Sequence, residues 1–234
     1  MYDIHSHILP EVDDGARSLK ETKAMLEMAY QQGIRGIIAT PHYHGRLDPS
    51  IFELWRRAYR RTEKAARAIA DDLMIYQGAE IYYDAAILSV LKQGAPITLA
   101  NSSYVLLEFP YEIDFTYLSF AVNELRYQGY YPILAHIERY QVLRNSDNVV
   151  KLREYGAHMQ INAAALISGG FVLRGYLLKL IKKGLIDVIG TDMHNTTTRP
   201  AFVSKCANIL DKKVGKEERL RLFQELYFDI VNER

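Results

Sequence analysis

Seven short apolar runs, each with a ligand-type or strongly hydrogen-bonding residue at or near its end, constrain this chain more than any other feature. They are YDIH, GIIATPH, LMIYQGAE, YVLLEF, YPILAH, HMQIN and VIGTD. Their polar residues, His5, His42, Glu80, Glu108, His136, Asn162 and Asp192, stand 26 to 38 residues apart. An interval of about 30 residues accommodates one strand and one crossover helix. Helical patterns fill the gaps: SLKETKAMLEMAYQQG opens with a capping-box spacing from Ser18 to Glu21 and stops at Gly33. ELWRRAYRRTEKAARAIADD and FTYLSFAVNELRYQG behave similarly. Repeated strand-helix units predict a parallel α/β fold. Closing them into a barrel gathers every strand end at one rim, whereas an open doubly wound sheet scatters them along an edge. A single barrel domain over residues 1–234 is expected, with YHGRLDPS and MHNTTTRP as rim loops.

The first run continues as YDIHSHILPEVDDG. Side chains alternate along extended backbone, so His5 and His7 share a face if the strand runs through them. H-x-H alone also describes an ordinary polar strand end. At or just past the expected strand ends stand nine candidates: His5, His7, Asp14, His42, Glu80, Glu108, His136, Asp192 and His194. Each by itself also reads as a cap or a hydrogen-bonded interior residue, and Asp14 as part of a DDG turn; their joint placement points to a metal centre. Imidazoles and carboxylates without thiolates suit manganese, iron or zinc and argue against a structural zinc site. His44 reads as a loop side chain. His158, on one strand face with Gln160 and Asn162, reads as part of a hydrogen-bonded interior. Tyr43, Tyr111 and Tyr140 fall on expected rim loops; Tyr43 is a candidate substrate contact, with packing as the alternative for each.

Composition narrows the chemistry. Twenty-nine Lys plus Arg balance 28 Asp plus Glu, for a formal charge of +1, which leaves no global basic field for nucleic acid or an anionic membrane. Any anion site must be local. The chain enters directly into a strand pattern, with no signal peptide and no apolar run long enough to span a bilayer, so a cytoplasmic protein without membrane insertion is expected. The single cysteine, Cys206, excludes an internal disulfide. It also excludes thiolate phosphatase chemistry, because a C-x5-R loop needs arginine where Lys212 stands. Helix packing is its expected role.

DIHSHILP followed by DDG, then TPHY, GAEIYY, LLEFP, AHIERY and TDMHN, resembles the bacterial PHP-type tyrosine-protein phosphatases of capsular and exopolysaccharide clusters, in order from residue 2 to about residue 200. The resemblance implies the PHP fold, a distorted seven-stranded (β/α)7 TIM-like barrel holding three divalent ions, manganese by preference, with iron or zinc as alternatives. By it, His5 and His7 bind one metal with help from Asp192, and Glu80 bridges to a second that Glu108 and His136 complete. Asp14, His42 and His194 hold the third. Arg139 and Arg199 match the catalytic and substrate-binding arginines that grip the phosphate. Glu11 stands where the family usually has glycine, Ile137 replaces a proline, and TDMHN replaces SDAHN; none of these touches an implied ligand.

The same resemblance implies a metal-dependent protein-tyrosine phosphatase, a phosphoric monoester hydrolase. Its expected substrate is an autophosphorylated bacterial tyrosine kinase with a tyrosine-rich tail, and a homo-oligomer is compatible with it. The chemistry is coherent: bound metal lowers the pKa of water from about 15.7 toward about 7, so hydroxide can serve as nucleophile. Three divalent ions, four carboxylates and a bridging hydroxide sum to about +1; the two arginines raise this to about +3, opposite a phosphate near −2. A phenol, with a pKa of about 10, leaves with less protonation than an alkyl alcohol. Competing readings are a small-molecule phosphomonoesterase of the histidinol-phosphatase type, a PHP nuclease, and a non-enzymatic metal-bound regulator. The missing Lys/Arg track counts against the nuclease, and the full ligand set with paired arginines against the regulator.

Overall fold

The computed structural model describes residues 1–45 and 48–233; Arg46 and Leu47 of the expected rim loop YHGRLDPS lie outside the described residues. Strands and helices alternate: β1 (Tyr2–Asp3), α1 (Leu19–Gln31), β2 (Gly36–Ala39), β3 (His42–Tyr43), α2 (Pro49–Ile69), β4 (Met74–Gln77), β5 (Glu80–Tyr82), α3 (Ile87–Lys92) and β6 (Tyr104–Glu108). The second half continues with α4 (Phe115–Tyr127), β7 (Tyr131–Leu134), α5 (Ser146–Glu154), β8 (His158–Asn162), α6 (Ala163–Ser168), α7 (Gly170–Lys182), β9 (Val188–Gly190), α8 (Val203–Lys213) and α9 (Lys216–Asn232). The α1 signals act as expected. Ser18 Oγ accepts the Glu21 N–H, Glu21 Oε2 accepts the Arg17 N–H, and Gly33 turns away at φ +90°.

All pairing is parallel, in two ladders ordered β1-β2-β4 and β3-β5-β6-β7-β8-β9. Nine strands among the described residues stand beside seven expected runs because two runs are interrupted. The first break falls at Thr40–Pro41, where proline offers no N–H to a ladder. The second falls at Gly78–Ala79, where a Cβ on Gly78 would lie 2.7 Å from Leu99. Pairing resumes with His42 opposite Glu80, which brings two ligand-type side chains together. The sheet curls until its outer strands approach: Ser6 bridges Met193 in parallel, Asp192 N–H donates to His5 O at 2.8 Å, and His7 N–H to Met193 O at 2.9 Å.

The larger apolar cluster fills the space between sheet and helices. A smaller one lies inside the curl, where Ile4, Ile38, Leu106, Ile133 and Val188 meet Leu226, Tyr227 and Ile230 of α9. Burying each large aliphatic side chain contributes about 1.5 to 3 kcal/mol. α9 thus seals the end where the strands begin. Tyr227 stacks on Tyr2 at 4.3 Å, and Gly36 admits it, since a Cβ there would meet the Tyr227 hydroxyl at 2.1 Å. The opposite end is left for polar side chains. No helix among the described residues is long and apolar enough to cross a membrane.

Candidate metal centre

The polar residues of the seven runs meet at the ends of the strands, around Glu80. Its Oε2 lies 3.2 Å from His5 Nε2, 3.2 Å from His7 Nε2 and 3.1 Å from His42 Nδ1, and its Oε1 is 2.8 Å from His136 Nε2. Glu108 adds oxygens 3.4 Å from His136 Nε2 and 3.7 Å from His42 Nδ1. Asp14 approaches His194 Nε2 at 3.3 Å and His42 Nε2 at 3.4 Å. Three groups have ligand atoms within 4.8 Å of one another: His7 with Asp14, His42 and His194; His5 with His7 and Glu80; His42 with Glu80 and Glu108. His136 and Asp192 border them, Asp192 Oδ1 lying 3.6 Å from His5 Nε2 and 3.5 Å from His7 Nε2. The fold therefore brings all nine candidates to one place.

The backbone shows how. β1 ends at Asp3, so the strand does not continue regularly through the histidines; Ser6 makes only a bridge, yet His5 and His7 both turn inward and are buried. His136 and Asp192 follow β7 and β9 with φ of +35° and +52°, a region that costs a non-glycine residue on the order of 1 kcal/mol. Strain of this kind concentrates at functional sites. Glu11 also has positive φ, +66°, which accounts for the glycine usual there in the resembling family.

Three imidazoles are oriented through Nδ1. His7 Nδ1 is 2.8 Å from Asp13 Oδ2, His5 Nδ1 is 3.2 Å from Gln160 Oε1, and His194 Nδ1 is 3.0 Å from the Asp192 carbonyl. A proton on each Nδ1 donates to these acceptors and leaves the Nε2 lone pair aimed at the shared centre, the tautomer a metal ligand needs. Gln160 does more: Oε1 accepts the His136 N–H at 2.7 Å, and Nε2 donates to Asn162 Oδ1 at 2.9 Å. Asn162 Nδ2 donates in turn to Asp192 Oδ2 at 2.8 Å. One amide relay therefore holds His5, His136 and Asp192. Asp13 also accepts the Gly15 N–H at 2.9 Å, and a Cβ on Gly15 would sit 2.2 Å from His7 O, so this turn requires glycine.

The electrostatics call for cations. Burial lowers the His7 pKa, but the carboxylates of Asp13 and Glu80 beside it outweigh this and carry the value up to about 10. Burial of His136 is likewise outweighed by Glu108 and Glu80, which raise it to about 9. His194, buried and beside His7, falls to about 4. Burial opposes ionisation of Glu80, yet His5, His136 and His42 hold it well below the usual carboxylate range. Two guanidiniums complete the site: Arg139 Nη2 donates to Asp192 Oδ2 at 2.7 Å and Arg199 Nη2 to Asp192 Oδ1 at 2.8 Å. Both remain about 40% exposed, at 42% and 38%.

The donor set fits divalent metals. His42 Nδ1, Glu80 Oε2 and His194 Nε2 are buried without a hydrogen-bond partner among the described residues, and all three point into the cluster. Buried polar atoms are rarely left so. Asp14 is the most open ligand candidate, its side chain 63% exposed.

Other expectations need correction. Tyr43 is 2% exposed and packs against Phe52 and Trp55 at 5.8 and 5.9 Å. Strand alternation turns it away from its neighbour His42, so it is a core residue that cannot touch a substrate. Tyr140 is also buried, its hydroxyl accepting the Phe109 N–H, while Tyr111 is exposed. His158 sits half-buried at the start of β8, facing Asp187, rather than inside with Gln160 and Asn162. Cys206, by contrast, packs in α8 as expected, buried where desolvation raises its thiol to about 12. Asp13 was not identified from sequence, although it adjoins the chosen Asp14; Gln160 was read with Asn162 as part of a hydrogen-bonded interior, which it is, but not as a residue that holds the ligands.

Comparison with known proteins agrees with this geometry. The family described as capsular polysaccharide synthesis, CpsB/CapC, matches residues 1–231. The tyrosine-protein phosphatase CpsB of Streptococcus pneumoniae is 34% identical over 230 residues, 95% of either chain. The tyrosine-protein phosphatase YwqE of Bacillus subtilis is 33% identical over 221 residues, 93% of this chain and 86% of that one. A crystal structure from the work on YwqE from Bacillus subtilis and CpsB from Streptococcus pneumoniae, described as unique metal-dependent tyrosine phosphatases, superposes with a TM-score of 0.89 at 30% identity, covering 100% of this chain and 95% of that one. An organophosphorus hydrolase from Deinococcus radiodurans, at TM-score 0.65 and 10% identity over 98% of this chain and 92% of that one, shares the fold alone. With its ordered motifs, its clustered ligands and a match from end to end, the chain belongs to the CpsB/CapC family of capsular polysaccharide synthesis proteins.

Proposed function

We propose that this chain is a metal-dependent protein-tyrosine phosphatase, a phosphoric monoester hydrolase acting on phosphotyrosine in capsule or exopolysaccharide synthesis. One observation carries the reading: four imidazoles surround Glu80 while two guanidiniums converge on the adjacent Asp192. His5, His7, Asp14, His42, Glu80, Glu108, His136, Asp192 and His194 would hold three divalent ions, manganese by preference. When bound, such ions supply Lewis acidity toward a phosphoryl oxygen and lower the pKa of water. Asp13, Gln160 and the Asp192 carbonyl keep protons on Nδ1 of His7, His5 and His194, so each Nε2 stays free. Arg139 and Arg199, held in place by Asp192, present planar donor pairs to the phosphate and keep their charge throughout. The tyrosine phenolate, of pKa about 10, accepts its proton from solvent without a dedicated buried acid.

The fuller reading is one unit over residues 1–234, a distorted seven-stranded barrel in which β2 with β3 and β4 with β5 are each one interrupted strand, closed at Ser6 and Met193. It acts in the cytoplasm on an autophosphorylated tyrosine kinase. A panel of phosphotyrosine peptide, histidinol phosphate and bis-p-nitrophenyl phosphate, each offered to the manganese-loaded protein, tests the assignment. The expected result is a preference for the phosphotyrosine peptide. Preference for histidinol phosphate or for the diester identifies the corresponding alternative, and inactivity on all three in the metal-loaded protein points to a regulator.

A further inference from the structure

On the outside of the fold, between α7 and α8, runs a groove of about 650 Å³. Gly175, Leu178 and Ile209 form its apolar part, and six cations line it: Arg174, Lys179, Lys182, Lys183, Lys212 and Lys213. None of the six forms an ion pair within the described residues, and Asp211, beside Lys212, is already paired with Arg219 at 2.6 Å. Six uncompensated charges in one groove stand out in a chain of net charge +1. Phe171 and Val172 at the start of α7 are 85% and 83% exposed. Lysines in the last turn of a helix are favourable by themselves. That alone explains neither their gathering from two helices into one groove nor Arg174 and the bare apolar pair toward the other end.

Topology relates the groove to the site. β8 ends at Asn162, a partner of Asp192, and α6 leads from there to α7, which returns toward the start of β9. Phe171 and Arg174 therefore lie toward the strand ends that carry the ligands, and Lys182 and Lys183 toward the opposite end. α7 has 13 residues, about 20 Å of helix, a length that about six residues of extended chain cover.

We infer that this groove docks an acidic segment of the substrate protein, which runs on from the phosphotyrosine held at the metal centre. The inference rests on the phosphatase reading. Charge complementarity selects an acidic occupant, the apolar floor and exposed Phe171 offer contacts to its side chains, and the concave form suits a peptide chain better than a bilayer surface. Electrostatic docking of this kind lowers KM and leaves the chemical step unchanged.

The test compares two phosphopeptides with the same phosphotyrosine core, one extended by about twelve neutral residues and one by about twelve residues rich in Asp and Glu, placed on either side, because the chain must cross from the metal centre to α7 before it spans the groove. With metal-loaded wild type, the acidic extension on one side should lower KM roughly tenfold, and high salt should erase the gain. The variant Lys182→Glu/Lys212→Glu/Lys213→Glu should lose the gain while kcat/KM on the neutral peptide stays within about twofold. No gain in wild type, or an undiminished gain in the variant, overturns the proposal. If neither peptide is hydrolysed, the phosphatase reading has failed, and fluorescence anisotropy with a labelled, unphosphorylated acidic peptide decides on the groove. Charge-reversible binding then supports the groove; absent binding, or equal binding by both proteins, overturns it. Co-sedimentation with phosphatidylserine vesicles, lost in the variant and unaccompanied by any peptide preference, also overturns it and makes the surface a membrane contact.

Discussion

Glu80 governs the site at the scale of single residues, because it is buried and four imidazoles lie within 3.2 Å of its carboxylate. Their usefulness depends on which nitrogen each presents, so the relay behind them matters as much as the ligands. Gln160→Leu removes the acceptor for His5 Nδ1 and the His136 N–H, and is expected to weaken metal binding by about 10 to 100-fold. Competitive metal titration checks this, with circular dichroism to confirm the fold; unchanged affinity in a folded variant contradicts the relay. Arg139→Ala and Arg199→Ala are expected to lower kcat/KM on a phosphotyrosine peptide by roughly 10 to 1,000-fold, or about 1.4 to 4 kcal/mol, with metal content unchanged. Lys at either position should restore only part, since an ammonium lacks the planar fork. Full activity in both Ala variants contradicts the clamp. The nine ligand candidates were legible because each stands at or just past the end of a strand pattern, a local signal. Which ligands Asp13 and Gln160 hold was not, because those partners are brought near by folding. Tyr43 was misread although strand alternation beside His42 held the correction.

The boundaries of α1 were legible, since caps are local chemistry: Ser18, Glu21 and Gly33 bound it as their spacing predicts. Those of α2 were less so, because the pattern read from Glu53 to Asp72 is a helix over Pro49–Ile69, capped by Asp48. Strand interruptions were not legible, because Pro41 and Gly78 lie within continuous apolar patterns and only the ladder shift reveals them. Nor was the part played by α9, which depends on Gly36 admitting Tyr227 from a distant segment. The approach to β9 offers a test of how elements are fastened. Asp187 accepts the Met159 N–H at 2.7 Å and pairs with Arg153, with His158 facing it. Burial raises its pKa, but His158 and Arg153 outweigh this and lower the value. A lowered carboxyl stabilises the fold above its unfolded value of about 4, and the contribution is lost as pH falls through the folded value. Asp187→Asn should therefore cost about 1 to 3 kcal/mol at neutral pH, and the difference from wild type should shrink at strongly acid pH. Urea unfolding at both pH values measures it; a constant difference contradicts the assignment.

For the molecule as a whole, a near-neutral chain concentrates its chemistry at one end of a curled sheet and seals the other with apolar side chains. That division was legible from the recurrent polar strand ends and from the balanced charge, which required any anion site to be local. Its consequence is that the empty protein should fold while catalysis depends wholly on bound metal. Chelated protein, verified metal-free by elemental analysis and folded by circular dichroism, is expected to lose turnover of a phosphotyrosine peptide. Stepwise manganese should restore it, with activity reaching a plateau near three ions per chain. Full turnover in the verified metal-free protein would contradict the account at its centre.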